Sequence, residues 1–600
     1  MKNFFNYKNN KLIILFIVIF AFLLRIYGLN WDQGNHLHPD ERMITMVTEG
    51  IKIPDLSNAN SLSEKISILF SPESTLNPKF FAYGSLPIYL LRLLSSLFSL
   101  IDQKFLSYDY TNLLGRGISA FFDSLTLIFI YKISQLLFFS RKKSILAAFI
   151  YAISIFPIQL SHFYAVDTLL NFFIFFTLYH SIKLYNNFNL KNAIGVGLGF
   201  GLSLATKISA IALIFSLGLS LIISIFLTLK KQIFGLEISF LSKIKLYFKK
   251  IFSPRFWVIK KRRRLKLIIS YSLLIALITL FTFTICQPFS IFDFPTFWRQ
   301  INEQHAMTKD AFVFPYTLQY VNTPSYLYQL KNIFLWGLGP IFAFIAYIGI
   351  IFGFIELLKG LFSSGNEKSE GGQLIIFSFF IIYFLITGNF AVKFMRYSLP
   401  LYPIFAIFAA NFIFSFSRKI RRFLIPTILL SNCFILLMFL NIYRYPNTRV
   451  QATKWINENI PAGSIIAREH WDDGLPIGNI NGYQFLELAL YDSDYNPQKW
   501  PVINSQLKES DYYVIASNRL YTPLQKLTDC KNLPIDKCYQ ETALFYQKLF
   551  SNRLNFEKVA EFSVYPSFLG ITVNDQSADE SFTVYDHPKV IIFKNNNSTK

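Results

Sequence analysis

The chain has 600 residues, 53% of them hydrophobic and 67 of them Phe, with a formal net charge of +22. Apolar runs recur through most of residues 1–440, which excludes an ordinary soluble protein with one large core and predicts a polytopic membrane protein. The basic residues fall in short bursts between apolar runs, the pattern of cytoplasmic loops rather than of a nucleic-acid-binding face.

In chain order, the first apolar segment, 11–28, follows Lys2, Lys8 and Lys11 and has no small-x-small cleavage pattern, so it reads as a retained anchor helix. The polar stretch 29–82 comes next. It carries His36-Leu37-His38-Pro39-Asp40-Glu41-Arg42, where two imidazoles, two carboxylates and a guanidinium sit beside a membrane span. Such clusters are functional-site candidates by default. Segment 86–101 is apolar but only about 22 Å long as a helix, and Arg92 sits in its middle; it reads as a juxtamembrane helix in the interface. About eleven spans are then expected, near 11–28, 113–138, 145–161, 164–184, 193–206, 208–228, 267–286, 333–358, 374–388, 398–415 and 423–441. This odd count places the N-terminus, Arg141-Lys142-Lys143, the basic loop 229–266 and the Arg418–Arg422 burst in the cytoplasm, as the positive-inside rule requires. By parity Asp40, Tyr164–Asp167, Lys207, the 287–332 loop, the Gly388–Arg396 loop and the tail face outside. The linker 363–372 reads as flexible.

The tail, 442–600, is expected to be a small extracytoplasmic α/β domain, with a helix over 451–459 and strands at 463–467, 511–516, 559–564 and 590–593. Cys286 and Cys433 lie in apolar segments and read as packing residues. Cys530 and Cys538 lie in the tail, where an oxidising compartment would permit a disulfide.

Asp40 is the leading candidate for a general base, because transfer of a group to a hydroxyl needs a carboxylate to take the acceptor proton. Pro39-Asp40-Glu41 also fits a plain helix N-terminus, and both descriptions can hold together. His36 and His38 with Asp40 could ligate a divalent metal, but no second cluster has ligand spacing; no cofactor is firmly implied. Asp167, in Ser161-His162-Phe163-Tyr164-Ala165-Val166-Asp167, offers a second carboxylate on the same face, or a capped turn. Lys79, Arg116, Lys207, Lys393 and Arg396 stand at the outer ends of spans, where a phosphate would find cations; snorkelling to lipid headgroups is the plainer role for any one of them. Gly195-x-Gly197-x-Gly199-x-Gly201 follows no strand and reads as helix packing. Phe314–Tyr326 mixes aromatic rings, amides and hydroxyls, suited to a sugar or to an interfacial belt.

With these residues laid out, the chain resembles the GT-C superfamily of membrane glycosyltransferases. Within it, the chain is similar to the dolichyl-phosphate-mannose protein mannosyltransferases and the lipid A aminoarabinose transferases. His38-Pro39-Asp40-Glu41 after the first span is the most specific match. Pro78–Pro87, Tyr164–Asp167, Ala205-Thr206-Lys207 and Lys393–Pro403 match further family stretches, while 469–476 and 581–590 resemble a prokaryotic subgroup. The resemblance implies an inverting transfer from a polyprenyl-phosphate sugar to a protein, lipid or glycan hydroxyl at the outer face of the plasma membrane. Asp40, Glu41 and Asp167 are the catalytic candidates. Arg396, Lys207, Arg116, Lys393 and Lys79 are candidates for the donor phosphate, and His38, His162, Tyr83, Gln319 and Tyr320 for contacts to acceptor or sugar. The rival class is a transporter or flippase of lipid-linked sugars, which would carry charges near the bilayer midplane and inverted repeats.

Overall fold

A computed structural model describes residues 7–234, 262–361, 367–478 and 482–598; most of the basic loop 229–266 lies outside these. Each expected span overlaps helical chain, in part or in full. The helices are α1 (Tyr7–Ile26), α5 (Tyr108–Phe138), the pair α6 (Arg141–Ala152) and α7 (Ile155–Ser161), α8 (Asp167–Asn186), α9 (Leu190–Thr206), α10 (Leu213–Phe234), α11 (Arg262–Cys286), α14 (Pro340–Leu361), α15 (Glu367–Gly388), α16 (Tyr402–Ile413) and α17 (Arg418–Leu440). Among the described residues, five helices are long and apolar enough to cross a bilayer, or six if α6 and α7, bent by 55°, form one span. The chain is a multi-pass membrane protein.

Shorter helices decorate one end of this bundle. They are α2 (Pro39–Gly50), α3 (Leu62–Phe70), α4 (Ser85–Phe98), α12 (Phe294–Lys309) and α13 (Leu327–Asn332). Helix α4 corresponds to the expected interfacial segment. It buries Ile88 and Leu91 against Ile44 of α2 and Tyr164, and leaves Leu93 and Leu97 exposed.

Small residues set the close approaches. The glycines of α9 each meet a neighbour: Gly195 faces His180, Gly197 faces Ile278, Gly199 faces Thr177 and Phe176, and Gly201 faces Thr282. That is the packing role their spacing predicts. The expected flexible linker is in part helix, because α15 starts at Glu367 and buries Gly371 and Gly372 against Tyr185, Leu137 and Ile182. An ion pair is buried within the bundle. Arg25 Nε donates to Asp123 at 2.6 Å, Arg25 also reaches the Ala21 and Ala152 carbonyls, and Tyr151 donates to the same Asp123, with both charged side chains fully buried. The pair ties the last turn of α1 to α5 and α6.

The tail holds helices α18 (Thr448–Asn459), α19 (Lys499–Glu509) and α20 (Gln540–Phe550) around a five-stranded mixed sheet of order β2-β1-β3-β7-β4. Strands β1 (Ile465–Glu469), β3 (Tyr512–Ile515), β4 (Phe556–Phe562) and β7 (Val590–Asn595) fall at the expected places, and β2 (Gln484–Leu488) is an addition, as is the separate hairpin of β5 (Ser567–Phe568) and β6 (Ile571–Thr572). β1 runs parallel to β2 and β3, while β7 runs antiparallel to β3 and β4. Cys530 and Cys538 form a disulfide, with Cα atoms 5.3 Å apart.

A buried polar knot docks the tail on the helix ends. His587 lies between Asp586 and Asp575, and the other Asp586 oxygen accepts from Gln159 of α7 at 3.0 Å and from Tyr443 at 2.9 Å. Burial alone would lower the His587 pKa, but the two carboxylates outweigh it and push it up to about 10, so the ring is cationic.

Packing at Gly201 yields a first prediction. A Cβ there would stand 2.7 Å from Cβ of Thr282, whereas one at Gly218 would meet nothing within 4 Å. Gly201→Val should cost about 1–3 kcal/mol through overpacking. It would be seen as a lower thermal midpoint of the detergent-solubilised protein, and Gly218→Val should show no such drop.

Candidate active site

Arg116 on α5 organises the site from below. Its five N–H groups are all used. Nε and Nη2 grip Glu41 at 2.9 Å each, Nη1 and Nη2 grip Asp32 at 3.0 and 2.7 Å, and Nη1 also reaches the Leu29 carbonyl at 2.9 Å. The guanidinium also lies 4.8 Å from the Trp31 ring centre. Glu41 in turn accepts from the Tyr164 N–H at 2.9 Å. Burial raises the Asp32 pKa, but Arg116 more than reverses this and leaves it below the ordinary carboxylate value. Two expectations are corrected here. Arg116 is 1% exposed and Glu41 fully buried, so neither can touch a ligand as they stand; both hold the frame.

Asp40 is one residue before Glu41, about 100° away around α2, and faces a cavity of about 560 Å³. There it pairs with Arg396, which arrives from the loop after α15 and is 356 residues distant in sequence. Both remain in partial contact with solvent, with side-chain exposures of 22% and 14%. Arg396 Nε is buried and makes no hydrogen bond among the described residues. The guanidinium has donors to spare where Arg116 has none.

A second ion pair stands nearby. Lys207, at the end of α9, donates to Asp167 at 2.8 Å, and its ammonium lies 5.7 Å from the Tyr83 ring centre and 5.0 Å from that of Tyr397. Gly84 makes this possible. Its N–H donates to the Thr206 carbonyl at 3.0 Å, and a Cβ would collide with the Ala205 carbonyl oxygen at 1.8 Å. Tyr83 lines the cavity and stands between it and Lys207, which does not itself line it. One oxygen of Asp167 is buried without a partner among the described residues.

The remaining candidates scatter. His38 caps α2, accepting from the Glu41 N–H at 3.4 Å, and packs at a tilt against Tyr585 and Phe163, with ring centres 4.1 and 4.6 Å away. Burial and the charge of Arg396 hold its pKa well below the ordinary value, so it is neutral. His162 is fully buried and bridges the Ile158 and Tyr27 carbonyls under Tyr443, out of reach of a ligand. Lys79 sits on the surface paired to Glu73, and Lys393 is buried on the Ala391 carbonyl; neither lines the cavity. Gln319 and Tyr320 are buried against Glu580 and Asp579 of the tail, while Phe314 and Tyr316 of the same loop do line the cavity. His36 is held by Asp109 and Asn112.

The tail builds the opposite wall. Arg449, His470, Trp471, Asp472, Asp473, Arg519 and Tyr585 all line the cavity. Arg449 pairs with Asp472 at 2.6 Å, Arg519 with Glu580 at 2.6 Å, and Arg42 of α2 crosses to Asp473 at 3.0 Å. Asp472, Asp473 and Tyr585 lie in the two tail stretches singled out above; Arg449 and Arg519 carry no sequence signal. Strand β1 delivers this wall, ending at Glu469, whose carboxylate accepts from Tyr513 and Tyr546. Burial pushes the Glu469 pKa up to about 7 from its ordinary 4.5.

Two predictions follow from these environments. Arg116→Met strands two buried carboxylates and should destabilise the protein by about 3–5 kcal/mol, whereas Arg396→Met, at a partly open pair, should leave the thermal midpoint nearly unchanged. Glu469 binds a proton more tightly folded than unfolded, so its contribution to stability is complete below pH 4.5 and is lost as pH rises through about 7. The thermal midpoint should fall between about pH 5 and pH 8, and Glu469→Gln should flatten part of that fall.

Residues 113–247 match the family model described as dolichyl-phosphate-mannose-protein mannosyltransferase. Among curated proteins none matches significantly. Among solved structures, the chain is similar to an archaeal oligosaccharyltransferase, AglB, from Archaeoglobus fulgidus, at 12% identity and TM-score 0.49, covering 97% of this chain and 88% of that one. It is also similar to ArnT from Cupriavidus metallidurans, at 12% identity and TM-score 0.43, covering 98% of each. Against the Pmt1-Pmt2 complex of S. cerevisiae the figures are 15% identity and TM-score 0.31, over 49% of this chain and 34% of that one. The matched stretch 113–247 contains Arg116, Asp167 and Lys207, and through it this chain resembles the dolichyl-phosphate-mannose-protein mannosyltransferases.

Proposed function

We propose that this protein is an inverting glycosyltransferase that moves a sugar from a polyprenyl-phosphate carrier to an acceptor hydroxyl at the outer face of the plasma membrane. The supporting observation is the meeting of Asp40 and Arg396 in one cavity: a carboxylate able to take a proton beside a guanidinium with unused donors. The family description, which names a dolichyl-phosphate sugar as donor, agrees in chemistry.

In this reaction the acceptor oxygen attacks the anomeric carbon as the bond from that carbon to the carrier phosphate breaks. Asp40 takes the acceptor proton, and the carrier departs as a phosphate monoester. No general acid is needed, since phosphate leaves without protonation. Arg396 exchanges Asp40 for the donor phosphate, which both stabilises the charge developing there and frees the carboxylate to act. Lys207 supplies a second cation, Asp167 orients it, and Tyr83 with Tyr316 and Trp471 gives rings for the sugar face. The tail stands on the same side of the membrane as Asp40 and bounds the acceptor cleft.

Purified protein incubated with a labelled polyprenyl-phosphate sugar and membrane extract should move label to a new acceptor. Asp40→Asn should reduce turnover by about 10²–10⁴-fold while donor binding persists, and Arg396→Ala should chiefly weaken donor binding. Near-normal transfer by Asp40→Asn would remove Asp40 as the base. Label that crosses the bilayer without changing acceptor would instead favour a flippase.

A further inference from the structure

On the far side of the Arg519–Glu580 pair from the Asp40 cavity lies a polar chamber of about 270 Å³, lined by residues of α13, the 518–526 loop and 576–580. We propose that this chamber holds the phosphate headgroup of an anionic phospholipid, with an acyl chain in the apolar groove beside it. The inference goes beyond the transfer reaction and does not rest on it.

The first observation is a pair of lysines held in no ion pair among the described residues. Lys331 and Lys526 both line the chamber, and neither has an acidic partner among the described residues. The acids close by are already committed: Glu580 is held by Arg519 and Gln319, and Asp579 by Tyr328, Tyr320 and Ser581. Burial first, and the Lys331 charge second, lower the Lys526 pKa, and the Asp579 carboxylate opposes them without reversing the shift. An anion between them would relieve both.

The second observation is unmet hydrogen bonding in the same place. Asn518 is 5% exposed, yet its Oδ1 has no partner among the described residues; both polar atoms of the Gln576 amide are likewise buried and unpaired. Buried polar atoms left unpaired are costly, and a ligand in the chamber could satisfy the amide N–H groups, since side-chain amides can turn.

The third observation identifies the rest of the ligand. An apolar groove of about 560 Å³ adjoins the chamber and shares Tyr328 and Lys331 with it. Leu327, Leu330, Phe334, Leu335 and Tyr347 form its walls, and Tyr347 belongs to α14, which is long and apolar enough to span a bilayer. The groove therefore lies beside the first turns of a helix able to span a bilayer, and meets at Lys331 the chamber that Lys526 also lines. A cationic head site joined to an apolar channel fits an anionic amphiphile, and juxtamembrane lysines favour anionic over zwitterionic headgroups.

The test is native mass spectrometry of the full-length detergent-solubilised protein titrated with phosphatidylglycerol or phosphatidylcholine. Wild type should hold one phosphatidylglycerol tightly and phosphatidylcholine weakly. Lys331→Gln with Lys526→Gln should weaken that tight site by roughly tenfold or more. Leu327→Trp, at a residue 64% exposed on the groove wall, should weaken it independently with both lysines in place. Thermal midpoints show that each variant is folded, and the single Lys526→Gln variant serves if the double one is not. Unchanged phosphatidylglycerol binding in the lysine and groove variants would overturn the proposal, as would equal binding of the two lipids. Displacement of the lipid by glycerol phosphate as effective as by phosphatidylglycerol would overturn the lipid assignment in favour of a soluble anion.

Discussion

One guanidinium determines where the cavity can form. Arg116 ties the loop after α1, through Leu29 and Asp32, to the start of α2, through Glu41, and Glu41 passes the constraint to the backbone at Tyr164. With Glu41 turned inward by this bond, the geometry of a helix leaves Asp40 about 100° around α2, facing the cavity. Buried pairs of this kind add little net stability, but they are expensive to break. Their value here is positional, fixing the face of α2 without occupying the cavity itself.

The cavity is shared between two parts of the chain that are remote in sequence. The helical part brings Asp40, Tyr83 and Arg396, and the tail brings Trp471, Asp472 and Arg519. What keeps the two in register is the cationic His587 between its two aspartates, bonded onward to Gln159 and Tyr443, together with the Arg42–Asp473 bridge at the rim. The buried knot and the open bridge differ in kind. The first is closed to water on all sides, while Arg42 is 39% exposed and so contributes far less to holding the parts together.

Much of the helical architecture was legible because hydrophobic runs and positive bursts are local properties of a sequence. The packing glycines of α9 and the short apolar helix α4 were readable for the same reason. Asp40 and Arg396 stood out through their motif neighbours, but the loss of Arg116 and Glu41 to each other was not readable. A charge at a span end looks the same in sequence whether it faces a ligand or a buried partner 75 residues away. Gln319 and Tyr320 show the same limit: their loop was recognised, but which of its side chains turn into the tail depends on Asp579 and Glu580, some 260 residues on. Arg519 and β2 had no local signature at all.

The cavity is already electrically balanced within itself. Asp40 is matched by Arg396, Asp472 by Arg449, Asp473 by Arg42, and Arg519 by Glu580. An anion that enters meets no open reservoir of positive charge; it has to displace a carboxylate from a guanidinium. Association is then an exchange of partners with little change in net charge, and its dependence on ionic strength should be shallow, unlike that of a surface that simply accumulates counterions.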